Sequence, residues 1–125
     1  MPDLPEAVSR AWENREGPVI FTTVDKNGIP NAIYATCVKK FNASRLVIAD
    51  NYFCKTRRNI QDGCYGSILF MTKDGQAYQV KGGIEYLTRG EIFDDMKKWL
   101  DPKFPGHAAA ALHVIEAYNG AEKLL

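Results

Sequence analysis

Most of this chain shows the hydrophobic patterns of β-strands, which are alternation with a period of two or short apolar runs between turn signals. Such patterns run from Val19 to Val24, Asn31 to Val38, Arg45 to Asp50, Tyr65 to Thr72, Gln76 to Leu87 and Leu112 to Tyr118. The dipeptides Asn27-Gly28 and Asp74-Gly75 favour tight hairpin turns between strands. We therefore predict six antiparallel strands, with a β-bulge at Gly82-Gly83 in the fifth.

Helical periodicity appears between and before these strands. A first helix places Leu4, Val8, Ala11 and Trp12 on one face, begins at a cap on Asp3 and ends at Gly17-Pro18. A short basic helix is predicted over Cys54 to Gln61, and a third helix follows a capping box at Thr88 and ends before Pro102. The alanine-rich segment from His107 to Ala111 favours a helix by intrinsic propensity, directly before the last strand.

These elements predict one domain over residues 1–125, mainly β in an α+β class. We expect a six-stranded antiparallel barrel with helices at its periphery. Hydrophobic residues make up 46% of the 125 residues and charged residues 25%, which is typical of a globular domain with its own core. No apolar run is long enough to cross a membrane, so no membrane partner is expected.

Charge and cysteine content narrow the classes of function. The net charge of +1 lacks the basic excess of a general nucleic-acid binder, so we expect no nucleic-acid partner. Three cysteines without C-x-x-C spacing indicate free thiols in a reducing compartment, and the N-terminal stretch has no apolar signal sequence. These features predict a cytoplasmic protein. Two histidines are too few and too poorly spaced for a metal site.

The segment from Arg45 to Ile60 carries the candidate chemistry. A buried strand, R-L-V-I-A-D, leads to a polar corner, and Lys55 and Thr56 then open a short helix. Free backbone N–H groups at a helix start favour an anion, to which Lys55 adds a charge and Thr56 a hydroxyl donor. The same spacing also fits an exposed basic helix on which Thr56 is only the N-cap.

The order of these features resembles the FMN-binding split-barrel family related to pyridoxamine 5′-phosphate oxidase, in particular its short flavin-binding members. The K-T-x-x-N-I element from Lys55 to Ile60, after a buried strand, is the most specific part of the resemblance. The resemblance covers Pro18 to the C-terminus. It implies a six-stranded split barrel that forms a homodimer, with one FMN in each of two clefts at the interface.

The resemblance also assigns the cofactor-binding residues by position. Lys55 and Thr56 would hold the FMN phosphate, with Arg57 as a helper and Asn59 bracing the helix. The isoalloxazine ring would be lined by Tyr34, Ala35, Thr36, Cys37, Ala49, Asp50 and Asn51, through backbone groups that pair with its pyrimidine edge. Gln79 and Lys81 would reach the cofactor from the partner subunit. Asp50 could instead cap the loop that follows it.

The implied activity is that of an FMN-dependent oxidoreductase that transfers hydride or electrons between FMN and a small molecule. A non-catalytic FMN or haem carrier of the same fold is the alternative. The arginine-rich phosphate strand of full-length pyridoxamine phosphate oxidases is missing, so we do not expect oxidation of vitamin B6. No catalytic residue is assigned. Nucleic-acid binding through Lys55, Arg57 and Arg58 is a weaker alternative.

Overall fold

Residues 2–125 of the computed structural model form eight strands and three helices. The helices are α1 (Glu6–Glu13), α2 (Lys55–Gln61) and α3 (Glu91–Trp99). The strands are β1 (Arg15–Val24), β2 (Pro30–Ala35), β3 (Val38–Asn42), β4 (Arg45–Asp50), β5 (Tyr65–Thr72), β6 (Ala77–Leu87), β7 (Ala108–Asn119) and β8 (Glu122–Lys123). No helix in this part of the chain has the length and apolarity needed to span a membrane.

The strands form a single antiparallel sheet that is open between its two edges. The strand order is β2-β1-β5-β6-β7-β4-β3, and β8 pairs with β7. β2 and β3 follow each other in the chain but form opposite edges of the sheet, so the barrel is split between them. The predicted class, an antiparallel split barrel with peripheral helices, is confirmed.

Buried and partly exposed side chains alternate along the strands, and the buried ones form the main core. On β1, Val19, Phe21 and Thr23 are fully buried, whereas their neighbours are partly exposed. α1 covers this core at one end, since Trp12 meets the ring of Phe70 edge-on with centroids 5.2 Å apart. Apolar burial of this kind contributes about 25 cal/mol per Å² and is the main force that holds the helix on the sheet.

β4 is buried on both faces, as its continuous apolar run predicts. Leu46 and Ile48 belong to the main core, whereas Val47 and Ala49 belong to a second apolar cluster beneath α3. The same cluster contains Met96 of α3. β4 therefore lies at the centre of the packing, and its C-terminal end at Asp50 is held firmly in place.

Two strand predictions need correction. The pattern from Asn31 to Val38 is two strands, because β2 ends at Ala35 and the strand is interrupted at Thr36 and Cys37 before β3 begins and pairs with β4. The alanine-rich segment is strand and not helix, since Ala108–Ala111 are at most 1% exposed between β4 and β6. Small side chains fit this crowded position, and tertiary packing outweighs their helix propensity.

Neither the predicted cap on Asp3 nor the predicted capping box at Thr88 is formed. α1 begins at Glu6 after Pro5, and α3 begins at Glu91 after Gly90, and neither helix has a side-chain cap. The N-cap of α3 is Gly90, whose φ of 96° suits glycine, and Thr88 therefore lies two residues before the cap position. Both segments were correctly predicted to be helices, but the first residues of α1 and α3 were not predicted correctly.

The predicted bulge lies in β6, where the register with β7 shifts between Lys81 and Gly82. A Cβ atom on Gly82 would lie 1.7 Å from the carbonyl oxygen of His113. We expect Gly82→Ala to lower the free energy of unfolding by about 1–3 kcal/mol, because backbone must move to admit the methyl group. At Gly83 the nearest atom to such a Cβ is 3.7 Å away, in the ring of Tyr65. Gly83→Ala should therefore cost less than about 1 kcal/mol in the same denaturant titration, and equal losses would contradict this explanation.

Candidate functional site

Two neighbouring pockets lie along the free edge strand β2 on the side where the barrel is split, and together they are here called the cleft. One end of the cleft, here called the basic end, is lined by Asp25, Ile29, Pro30, Asn31, Cys54, Lys55, Arg58 and Asn59. The other, here called the ring end, is lined by Ile33, Tyr34, Ala35, Thr36, Cys37, Ala49, Asn51, Tyr52, Phe53 and Phe104. β2 runs between them and spans about 17 Å from its first to its last residue.

Two cations and two amides face the basic end. Lys55 and Arg58 lie on the first turns of α2 and are exposed to solvent. Asn31 at the start of β2 and Asn59 on α2 complete the polar lining. Asp25 adds one carboxylate, whose Oδ1 already accepts the N–H groups of Asn27 and Ile29. This end of the cleft is suited to an anion.

Hydrogen bonds beneath the basic end fix the donors in place. The hydroxyl oxygen of Thr23 accepts from the side-chain amides of Asn31 (3.3 Å) and Asn59 (3.0 Å), which ties α2 to β1 and β2. Asn31 also donates to the hydroxyl oxygen of Thr56 at 3.0 Å. Because Thr56 accepts this bond, its own hydroxyl proton is left for another acceptor. α2 begins at Lys55, so Thr56 lies within the first turn and is not the N-cap.

Arg57 faces away from the basic end. Its Nε and Nη2 atoms donate to the two carboxylate oxygens of Asp50, at 2.8 and 3.1 Å. Arg57 lines neither end of the cleft, whereas its neighbour Arg58 lines the basic end. The structure therefore places Arg57 in contact with Asp50 and not at the basic end where it was expected, and it places Arg58 at the basic end instead.

Asp50 is the centre of a buried polar network. Its carboxylate is inaccessible to solvent and also accepts the N–H of Phe53 at 3.0 Å and the hydroxyl of Tyr86 at 2.5 Å. The carboxylate is thus fully occupied and does not face the ring end, which corrects the expectation that it contacts a flavin. The alternative, in which Asp50 caps the loop after β4, is the one that the structure shows.

The electrostatics of this network give a pH prediction. Burial raises the pKa of Asp50, but the hydrogen bonds from Arg57, Tyr86 and Phe53 outweigh burial and leave the pKa below its ordinary value. A lowered carboxyl pKa in the folded state stabilises the fold above about pH 4, and this stabilisation is lost as the pH falls through the folded pKa. We expect the Tm of the wild type to fall more steeply than that of Asp50→Asn below pH 4. Parallel profiles in calorimetry would contradict the assignment.

The ring end contains six of the seven residues predicted to lie there, namely Tyr34, Ala35, Thr36, Cys37, Ala49 and Asn51. Some of their backbone groups are already paired, since the N–H of Ala49 donates to the carbonyl of Cys37 at 2.9 Å. The carbonyl of Asp50 likewise accepts the N–H of His107 at 2.8 Å. The N–H of Ala49 is therefore not available to a ring edge as expected, whereas each of the two carbonyl oxygens keeps a second lone pair. The open backbone groups are those on the free edge of β2.

Gln79 and Lys81 lie away from the cleft of their own chain. Both are on the outer face of β6, beside Ser67, Ile115 and Glu116. Cross-strand pairing from Tyr34 through Ile20 and Leu69 to Gln79 shows that these residues share the outer face of the sheet. A role for Gln79 or Lys81 in a cofactor site therefore requires a second chain.

Sequence reasoning missed several residues of the cleft. Asn31 and Arg58 lie in segments that were singled out, but nothing in the sequence showed that their side chains face the same space. Tyr86 and Phe104 come from distant parts of the chain and reach the site only through tertiary packing. Of these, only Arg58 had a sequence signal, as part of the basic cluster in α2.

Sequence comparison identifies a relative and a family. An uncharacterized protein of Methanocaldococcus jannaschii is 30% identical over 121 residues, which cover 93% of this chain and 80% of that protein. The family described as pyridoxamine 5′-phosphate oxidase matches residues 4–121.

Solved structures share the fold. HupZ of Group A Streptococcus superposes with a TM-score of 0.80 at 23% identity and covers 93% of both chains. An FMN-binding protein of Syntrophomonas wolfei superposes with a TM-score of 0.74 at 20% identity and covers 91% of this chain and 95% of its own. The family match spans the basic end, the ring end and nearly every strand of the barrel. This chain belongs to the pyridoxamine 5′-phosphate oxidase family.

Proposed function

We propose that this chain binds FMN along the cleft of β2 and acts as an FMN-dependent oxidoreductase on a small molecule. The separation of charge along the cleft is the observation that carries the proposal. Lys55 and Arg58 line the basic end, whereas no charged side chain among residues 2–125 lines the ring end. FMN has the matching distribution, with a phosphate dianion at one end and a flat, uncharged ring at the other.

The basic end fits a phosphate by the chemistry of its donors. Lys55 supplies an ammonium and Arg58 a guanidinium, which outnumber the single carboxylate of Asp25 and leave the lining with a net positive charge for a phosphate. Charge-assisted hydrogen bonds of this kind are about twice as strong as neutral ones. Thr56 is buried and does not line the basic end, but it accepts a hydrogen bond from Asn31 and so holds that lining amide in place.

The ring end fits a heteroaromatic ring by its apolar lining and polar margins. Ile33, Ala35 and Ala49 supply apolar surface, and Thr36 and Asn51 supply side-chain donors and acceptors. The free edge of β2 adds backbone N–H and C=O groups that have no neighbouring strand. The ring of a bound FMN would supply the redox chemistry, whereas the protein holds the phosphate, surrounds the ring and limits access of water.

We also propose that two chains form the working unit. The outer face of the sheet exposes the apolar side chains of Tyr65, Leu69, Met71 and Ile115. Gln79 and Lys81 lie on the same face, where a second chain could bring them to the neighbouring cleft. Light scattering tests this part, with a mass of two chains as the expected result and a mass of one chain as the contrary result.

Reduction of bound FMN tests the oxidoreductase activity separately from binding. The FMN-loaded protein is mixed with NADH or with NADPH under anaerobic conditions, and the flavin absorbance is followed by stopped flow. Bleaching faster than that of free FMN is the expected result. Bound FMN that stays oxidised with both donors would favour a carrier function and contradict nicotinamide-driven turnover.

The cysteines support a proposed cytoplasmic location. Cys37, Cys54 and Cys64 are all free thiols in the structure, which suits a reducing compartment.

A further inference from the structure

We infer that Phe104 is a positioning residue for the flavin ring and that the loop between α3 and β7 serves to hold it at the ring end of the cleft. This inference rests on the proposed function. Apart from Phe104, every residue that lines the ring end lies between Ile33 and Phe53. Among residues 2–125, Phe104 is thus the only residue at the ring end that comes from a distant part of the chain.

The loop is fastened to the same polypeptide segment that forms the ring end. The N–H of Gly106 donates to Oδ1 of Asn51 at 3.0 Å, and the N–H of His107 donates to the carbonyl of Asp50 at 2.8 Å. On the other side, Nζ of Lys97 on α3 donates to the carbonyl of Pro105 at 2.9 Å. Asn51, which holds the loop through Gly106, and Phe104 therefore both line the ring end.

The conformation of the loop leaves little freedom to Phe104. Its own N–H donates to the carbonyl of Asp101 at 3.0 Å, which closes a turn directly before the anchored residues. Gly106 has a φ of 52°, and a Cβ atom there would lie 2.5 Å from Cδ2 of Leu100. The ammonium of Lys103 lies 5.2 Å from the centroid of the Phe104 ring and adds a cation–π contact.

An aromatic side chain at this place has a specific effect on a flat ligand. Phe104 is partly buried against the apolar cluster beneath α3, which includes Ala49, and its remaining surface borders the ring end. Aromatic rings prefer offset-stacked or edge-to-face contact with another ring, a geometry that a branched aliphatic side chain cannot reproduce. Among residues 2–125, the side chains that line the ring end beside this contact are apolar or polar without charge.

The test compares Phe104→Leu with Phe104→Tyr and with the control Phe93→Leu. Phe93 packs in the same apolar cluster but does not line the cleft. Dissociation constants are measured for FMN and for riboflavin, which has the same ring and no phosphate. We expect Phe104→Leu to weaken both ligands by the same factor of about three to ten, corresponding to one aromatic contact. Phe104→Tyr and Phe93→Leu should bind both ligands within twofold of the wild type.

The outcomes separate this inference from the proposed function. If the wild type binds FMN and Phe104→Leu binds FMN and riboflavin as tightly as the wild type does, the inference is wrong and the proposed function stands. If Phe93→Leu weakens binding as much as Phe104→Leu, the effect comes from packing beneath α3, and the positioning role is again wrong. If the wild type binds neither ligand, the proposed function fails first and Phe104 has no flavin to position. A thermal unfolding curve for each variant checks that the variant is folded at the temperature of the binding measurements.

Discussion

Replacing Asp50 by alanine is expected to lower the free energy of unfolding by about 3 kcal/mol. The carboxylate is inaccessible to solvent and accepts hydrogen bonds from Arg57, Tyr86 and the backbone of Phe53. Its removal leaves the hydroxyl of the partly buried Tyr86 and the guanidinium of Arg57 without their acceptor. The guanidinium side chain is 35% exposed and can recover some hydration, which keeps the loss near the lower end for a buried ion pair. For a domain of this size, the Tm should fall by roughly 10 °C.

Asp62→Ala is the matched control for this prediction. Asp62 pairs with Lys26 at 3.7 Å on the surface, where the lysine side chain is 76% exposed. Surface ion pairs contribute about 0–1 kcal/mol, so this variant should unfold close to the wild type in urea. Similar losses in the two variants would show that the network around Asp50 does not have the stabilising role assigned to it.

Replacing Lys55 by alanine is expected to weaken FMN binding by about ten- to a hundredfold, on the order of 1.5–3 kcal/mol. The ammonium lines the basic end, and its loss removes one of two cations from the proposed phosphate site. Stability should change little, since Lys55 is exposed. Riboflavin, which has no phosphate, should bind to the variant and to the wild type equally well.

Lys73→Ala provides the control for Lys55→Ala. Lys73 is an exposed lysine in the turn between β5 and β6 and lines neither end of the cleft. Its removal changes the net charge by the same amount and should leave FMN affinity unchanged at constant ionic strength. If the two lysine variants bind FMN equally, the phosphate lies elsewhere. If Lys55→Ala also loses affinity for riboflavin, the lysine acts on the fold or on the ring and not on the phosphate.

Strand bounds could be predicted from the sequence where a short apolar run is flanked by turn residues. β4 and β5 were predicted with their observed bounds, because their runs lie between polar turns and no other element competes for them. The break between β2 and β3 was missed because neither Thr36 nor Cys37 is a glycine or a proline. The break arises because β2 pairs with β1 whereas β3 pairs with β4, and local patterning does not encode that change of partner.

The candidate site was predicted in part for a similar reason. Lys55 and the lining residues of β2 follow from strand order and from the family resemblance. Which of Arg57 and Arg58 faces the cleft could not be decided, since neighbouring residues on a helix point about 100° apart and the orientation of α2 depends on its packing. The buried partner Asp50 decides it, because it draws Arg57 toward Tyr86 and leaves Arg58 at the cleft.

Titration of the purified protein with FMN tests the proposed cofactor site most directly. The visible spectrum and the flavin fluorescence are followed at a protein concentration in the micromolar range. We predict saturation at one FMN for each chain, and a Lys55→Ala variant that saturates only at higher FMN concentration. A protein that leaves both signals unchanged with micromolar FMN would contradict the proposed site between the basic end and the ring end of the cleft.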